Sequence, residues 1–552
     1  MLKTIRRTVL AASLSLSLSL SLGVSGSPAL AYDGVRLAPF PDVSAGDWSE
    51  ESIYLLVSLG VMNGYPDGTV RPDGNVTREA FLSMFAASRS LPPGSTRRDG
   101  FPADVAADRW SHGAIRQAYD AGAIDFMIDN GVFSPSSDMT REEVAAVAGR
   151  ALLLQLPEAE RAAWAETGWR EEERARAFPD RAAIRQDIAP YVYYAAHRGV
   201  MTGDPASGFR PADTLTRKEA AAIVRRLIDL AVSDEPLETV GFYAISSYRN
   251  ADRLDAFNAV AFGWSRLKYD GPGVAALDTS ETEYRVPDGF EEPLAKAGDR
   301  PKLLMMYADN AEGRLSAFLR DESAVEAFLA SADAVVRDPR YGFDGVAVDF
   351  EGLLDESDRE PYAAFLRMLR ERLNDRSFTV AVQPTYYYKG YDLAAIGAIA
   401  DRVILMAYDF THAGSGLPSA PLPLVGDAVR EALAHVPASK LTLGISKQAN
   451  QWIAAPDGTA SLLQPSVDRV EARAADPGTD SRIAFPFALR LFTFADDRGR
   501  HELWYEDADS MKYKVWLARY YGLRGISFWH VGHLTEADWR LIESLPKPST
   551  AS

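Results

Sequence analysis

The chain of 552 residues contains no cysteine. Disulfide staples, thiolate metal centres and cysteine nucleophiles are therefore excluded, and stability must come from core size. Positive charge is also short: 59 Lys and Arg stand against 77 Asp and Glu, a formal charge of −18. That balance argues against a nucleic-acid partner, because phosphate binding wants a basic face. Beyond the N-terminus, no segment reaches the roughly 20 apolar residues that a spanning helix needs. No glycine-rich phosphate loop precedes a helix, so a nucleotide cofactor is not expected. What remains is a chain with 47% hydrophobic and 25% charged residues, too long for one ordinary core, and two or more globular domains are expected.

The first 31 residues read as an export signal. Lys3, Arg6 and Arg7 form a charged region, "VLAASLSLSLSLSLG" an apolar-leaning run, and Ala29–Ala31 a small-residue cleavage site. Arg6-Arg7 alone is weak ground for choosing twin-arginine export. The mature chain is expected to begin near Tyr32 and to work outside the membrane.

Three repeats follow, expected at 38–92, 99–155 and 178–231. "FPDVSAGDW" (Phe40–Trp48) returns as "FPADVAADRW" (Phe101–Trp110) and, more weakly, as "FPDRAAIRQDI" (Phe178–Ile188). Each copy continues into a helical pattern, a glycine-rich turn and a second helix that opens "TREA", "TREE" or "TRKE". Such repeats bury their apolar faces on one another as an array. Thr140 with Glu143 and Thr216 with Glu219 fit a capping box, whereas Glu79 sits one place early and leaves Thr77 to cap alone. Arg78, Arg141 and Arg217 each follow the cap, where the helix dipole disfavours a cation. Two readings stay open on the physics: arginines paired with nearby carboxylates, or anion sites built from arginine and helix N–H groups. The charged segment 156–177 between copies two and three reads as a helical, solvated insertion.

The three copies resemble S-layer homology domains. The resemblance implies a helical bundle that binds secondary cell-wall polymer and anchors the protein on a bacterial surface. Arg78, Arg141 and Arg217 match the arginine that meets the acidic sugar, and Trp48 and Trp110 match its aromatic; the third copy has no tryptophan there.

From about residue 238 to 546 the texture changes to eight β-rich runs separated by helical patterns: "VGFYAISS", "AVAFGWS", "KLLMMYAD", "GVAVDFEG", "FTVAVQPT", "RVILMAYDF", "KLTLGISK" and "GISFWHVG". Eight such units fit a (β/α)8 TIM barrel better than a doubly wound open sheet. The stretch between Trp452 and Phe487 is expected as an insertion after strand seven. In the fourth run, Val346, Val348 and Phe350 suit the outer face, which leaves Ala347, Asp349 and Glu351 facing the lumen. Two carboxylates about 6.6 Å apart at the Cα, two rises of about 3.3 Å, resist joint ionisation. A neutral acid at a barrel mouth is what a general acid needs; acids merely satisfied by backbone donors are the bland alternative.

"FDGVAVDFE" resembles the D-x-x-D-x-D-x-E signature of glycoside hydrolase family 18, with "MAYDF" and "GISFWHVG" matching its sixth and eighth strands. "LWYEDADSMKYKVWLARYYGLRGISFW" is similar to the branch acting on peptidoglycan, including spore-cortex N-acetylglucosaminidases. The resemblance implies substrate-assisted cleavage of β-1,4 bonds at N-acetylglucosamine in peptidoglycan or chitin-like glycans, without cofactor or metal. It assigns Glu351 as acid and base, Asp349 and Tyr408 to the substrate's acetamido group, and Asp409 and Trp529 to the sugar. Asp344 matches the first, mainly structural acid of the signature, and is grouped with the substrate contacts. Ala347 departs from the pattern, since chitinases carry there an acid that shares a proton with the next. A non-catalytic glycan-binding surface protein is the alternative. His530 and His533 read as rim residues rather than a metal pair, and the tyrosines of "PTYYYKGY" (Pro384–Tyr391) as either glycan groove or barrel cover.

Overall fold

A computed structural model describes residues 35–91, 98–204, 206–412 and 414–547. The export-signal expectation lies outside the described residues.

The repeats close into a pseudo-threefold ring, each giving two helices: Glu50–Ser58 with Arg78–Ala87, His112–Asp120 with Arg141–Leu154, and Ala189–His197 with Arg217–Val232. In each turn an aspartate holds two successive backbone N–H groups: Asp42 those of Val70 and Arg71, Asp104 those of Phe133 and Ser134, Asp180 those of Phe209 and Arg210. At the axis, the Val76 N–H donates to Leu215, Leu215 to Met139 and Met139 back to Val76. That cycle of three bonds leaves no open end, so the array is a ring rather than a solenoid. The capping boxes at Thr140–Glu143 and Thr216–Glu219 are formed, and Thr77 caps alone. The charged insertion is more than a spacer. Trp169 is buried and stacks on Tyr193, and the Trp164 indole donates to the Pro190 carbonyl at 2.9 Å.

The second half is a closed parallel barrel. Its strands are Glu238–Tyr243, Ala259–Gly271, Lys302–Ala308, Gly345–Phe350, Ser377–Val382, Arg402–Leu405, Leu441–Ser446 and Gly525–Trp529, and the first pairs with both the second and the last. All eight runs read from the sequence are its strands. Val346, Val348 and Phe350 pack outward under the helices, with Phe350 stacked on Phe365 at 5.1 Å. Ala347 packs inward with Val240, Ala261, Met305 and Ile404 in the lumen.

Two excursions were not fully legible. Strand two runs beyond the rim and pairs with a hairpin strand, Val274–Asp278, before the chain returns across the mouth. The insertion after strand seven is larger than expected, a five-stranded antiparallel sheet spanning Asn450 to Tyr505.

The ring docks on the barrel. Helix Glu50–Ser58 lies on helix Leu422–Leu433, where Gly426 is essential: an added Cβ would stand 2.5 Å from the Ser58 carbonyl oxygen. Arg430 donates to that same oxygen at 2.7 Å. The Trp516 indole donates to Asp229 at 2.8 Å, with the Arg225 guanidinium over its ring. Tyr54 stacks on Phe485 at 6.0 Å, and the Tyr520 hydroxyl donates to the Ala87 carbonyl at 2.9 Å.

Candidate active site and anchoring pockets

Glu351 follows the last residue of strand four, at the C-terminal rim where barrel loops gather. Its N–H donates to the Ala308 carbonyl at 2.8 Å, which extends the ladder by one residue. Gly352 then turns the chain with φ +80°, its N–H donating to the Gln383 side-chain oxygen at 2.7 Å. The Tyr391 hydroxyl donates to the Phe350 carbonyl at 2.7 Å, so the backbone on both sides of Glu351 is held.

Asp349 is 2% exposed, and its Oδ1 has no hydrogen-bond partner. An acid at position 347 would stand on the same lumen face, but Ala347 offers nothing to it. Burial pushes the Asp349 carboxyl up to about 7. Glu351 is held well above the carboxylate range, first by burial and then by the charges of Asp349, Asp409 and Asp309. A carboxylic acid that keeps its proton near neutrality can donate it.

Tyr408 and Trp529 pack against the same lumen cluster as Ala347. Burial, then the charges of Asp349, Glu351 and Asp409, keep the Tyr408 phenol protonated as a donor. Gly444 on strand seven makes room for it: a Cβ there would come within 3.2 Å of the Tyr408 ring. Asp409 sits at φ +60° and accepts the Ser419 hydroxyl at 3.1 Å. Trp529 meets Phe242 edge to face at 5.5 Å. Asp349, Glu351, Tyr408, Asp409 and Trp529 thus converge on one pocket.

Asp344 does not join them, which corrects its grouping with the substrate contacts. It lies ahead of strand four, seven residues from Glu351, about 23 Å away along an extended chain. Its Oδ2 accepts the Lys302 N–H at 2.9 Å, a backbone clasp at the floor of the barrel.

Two tyrosines escaped the sequence reading of the pocket. Tyr307 on strand three and Tyr284, on the return from the hairpin, stack at 4.5 Å and 11°. Burial followed by the charges of the pocket acids raises both phenols. Tyr307 was legible from the pleat, since Leu303, Met305 and Tyr307 alternate inward; Tyr284 carried no such signal. Of the "PTYYYKGY" tyrosines, Tyr388 belongs to the pocket, pushed up to about 12 by burial and the charges of Glu351 and Asp409. Tyr386 instead bonds Asp427, and Tyr391 the strand backbone. The His530 and His533 rings meet at 3.9 Å, tilted by 38°, and burial pushes them down to about 3 and 4.

In the ring, the helix N–H groups are not free for an anion. Those of Arg78, Arg141 and Arg217 donate to the carbonyls of Ser137, Asp213 and Gly74 in the neighbouring repeat. The arginine side chains also reach into the next repeat: Arg78 to the Phe133 carbonyl, Arg141 to that of Phe209, Arg217 to that of Val70. They differ in charge compensation. Arg78 pairs with Glu143, and Arg141 lies 3.9 Å from Glu219. Arg217 should meet the equivalent residue of the first copy, but that residue is Ala80. Arg217 is 8% exposed, bonded to the Val70 and Asn63 carbonyls over the Tyr65 ring, with no carboxylate in ion-pair range among the described residues. Trp48, 58% exposed, stands beside it with the Lys218 ammonium 5.9 Å from its ring. Trp110 is 68% exposed next to Arg109, which forms a bidentate pair with Glu79.

Comparison with known proteins agrees with this division. The family model of the glycosyl hydrolases family 18 matches residues 238–533, and that of the S-layer homology domain matches 39–82, 103–145 and 177–221. The cortical fragment-lytic enzyme of Bacillus subtilis (strain 168) is 32% identical over 260 residues, covering 43% of this chain and 59% of that protein. Its namesake in Bacillus anthracis is 28% identical over 240 residues, 41% of this chain and 55% of its own. The chain thus spans little more than half the length of these relatives. The crystal structure of the Bacillus cereus spore cortex-lytic enzyme SleL has 23% identity and a TM-score of 0.47, covering 56% of this chain and 75% of its own. The chain carries three S-layer homology domains and, with more than half its length matched, belongs to the glycosyl hydrolases of family 18.

Proposed function

We propose that the protein is a wall-anchored hydrolase that cleaves β-1,4 bonds next to N-acetylglucosamine in peptidoglycan or chitin-like glycans. The observation that carries this is the Glu351 carboxyl at the rim, its proton held more tightly by burial and by the charge of Asp349, at the same end of the lumen as Tyr408 and Trp529. In the first step Glu351 gives its proton to the glycosidic oxygen while the substrate's 2-acetamido oxygen closes on the anomeric carbon. The leaving sugar departs with that proton, and the ring intermediate carries the positive charge. Asp349 steadies that charge and Tyr408 donates its hydroxyl to the acetamido group. Glu351, now a carboxylate, takes a proton from water as the water opens the ring, and the configuration is retained. No enzyme carboxylate attacks the sugar, as in the substrate-assisted exceptions among glycosidases. Trp529 floors the site by stacking on the sugar's C–H face. The names of the cortical fragment-lytic relatives favour peptidoglycan over chitin.

The anchoring unit ends near residue 231 and the barrel begins near 238. Arg217, near Trp48, is the strongest pocket for an acidic wall polymer because among the described residues no carboxylate pairs with its cation, whereas the neighbouring Lys218 already pairs with Asp73. Wall binding of this kind supports a working location outside the membrane on a bacterial surface.

Glu351→Gln tests the catalytic reading. The variant should lose about 10²–10⁴-fold in rate, the usual worth of a general acid. Products are followed by mass spectrometry on muropeptides and N-acetylglucosamine oligomers in parallel. Parent-like turnover by the variant ends the proposal.

A further inference from the structure

The insertion sheet carries a cavity of about 720 Å³ that the catalytic reading does not use. None of Asp349, Glu351, Tyr408 or Trp529 lines it. One wall is the loop around Gly414 and Gly416, and the other is a face of the sheet. Register puts Trp452, Glu502, Thr493 and Asp480 in one cross-strand row. Ala460, Ala454, Arg500 and Ala495 form the next row. Alanines and glycines leave the space open.

Arg500, Glu502 and Asp480 face this space, and among the described residues no hydrogen bond or ion pair engages their side chains. Two other charges of this sheet are paired, Arg498 with Asp496 and Arg490 with Asp507. Two carboxylates and one guanidinium in a concave site complement a ligand that carries both ammonium and carboxylate groups.

The cavity adjoins the catalytic pocket. The Ser419 hydroxyl donates to Asp409, whose charge acts on Glu351. Two residues earlier, at most about 7 Å along the chain, the Leu417 carbonyl accepts the Trp452 indole N–H at 2.9 Å. A glycan strand seated over Glu351 therefore brings its substituents to the cavity's edge.

We infer that this cavity binds the zwitterionic peptide branch of a peptidoglycan strand, with Arg500 taking its carboxylate and Glu502 and Asp480 its ammonium. The inference rests on the peptidoglycan reading above and extends it to a specificity for peptide-bearing strands.

The test uses the full chain and the double variant Arg500→Ala/Glu502→Ala, both side chains being exposed. On peptide-bearing glycan strands its kcat/KM should fall at least about tenfold, close to 1.4 kcal/mol, while on strands stripped of peptide it should equal the parent. Equal rates on peptide-bearing strands, or an equal fall on both substrates, overturn the inference. A second arm titrates a short peptide with free ammonium and carboxylate termini into the Glu351→Gln protein, with and without the double substitution. Affinity should drop at least about tenfold with it, and unchanged affinity overturns the inference. If the parent cuts no glycan at all, the hydrolase reading fails and the titration alone decides on the cavity.

Discussion

Asp349→Asn should stabilise the protein while crippling it, and the gain should grow with pH. In the folded chain the carboxyl is buried, its Oδ1 is unpartnered, and its pKa is raised from 3.8 to about 7. Between those values the folded state holds a proton that the unfolded state has released. Folding stability therefore falls as pH rises through that window. At about 1.36 kcal/mol for each tenfold step in acidity, this carboxyl costs about 4 kcal/mol by pH 7. Below about pH 4 it costs nothing, since both states are protonated. The asparagine escapes this cost but brings an amide donor into the same enclosure, which offsets about 1–3 kcal/mol. A net gain of about 1–3 kcal/mol at pH 8 is expected, shrinking or reversing at pH 4. The assay is the difference in Tm between variant and parent at pH 4, 6 and 8, beside turnover on muropeptides. A difference that is flat with pH, or falls as pH rises, would refute the reasoning, because the carboxyl would then be ionised and satisfied in the fold.

Other outcomes follow from the same structure. Activity should fall on the alkaline side as Glu351 loses its proton, and Asp349→Asn should move that limb to lower pH by removing one neighbouring charge; a pH–rate profile reads both. Arg217→Ala should reduce sedimentation with purified cell walls more than Arg78→Ala does, since Arg78 is already paired with Glu143; equal losses would contradict the distinction. Tyr284→Ala should raise KM more than it lowers kcat, because the ring lines the mouth through its stack on Tyr307. Gly426→Leu should separate ring from barrel by striking the Ser58 carbonyl, giving two thermal transitions and a protease-sensitive link near residues 233–237 while the barrel keeps its activity.

The alternation of Val346 to Phe350 was enough to point Asp349 and Glu351 into the lumen, because a strand's period of two leaves no other choice once one face must be buried. The same rule would have covered Tyr307, which the sequence reading passed over. It could not cover Tyr284, whose place depends on a hairpin that leaves the rim and comes back. It also put Asp344 at the opposite end of the strand from Glu351, so the grouping of Asp344 with the substrate contacts came from the motif and not from the strand geometry.

By itself the amino-acid sequence determined the threefold repeat, the eight strands, the families and the acids of the pocket, because these rest on local periodicity and short motifs. The tertiary structure alone decided that the helix N–H groups of the ring are already bonded, that Arg217 lacks the partner its two counterparts have, and that the insertion sheet opens a charged cavity near the acidic pocket of the barrel. Each of these depends on which residues distant in the chain come to lie together, and hydrogen bonding and charge compensation act through space rather than along the backbone.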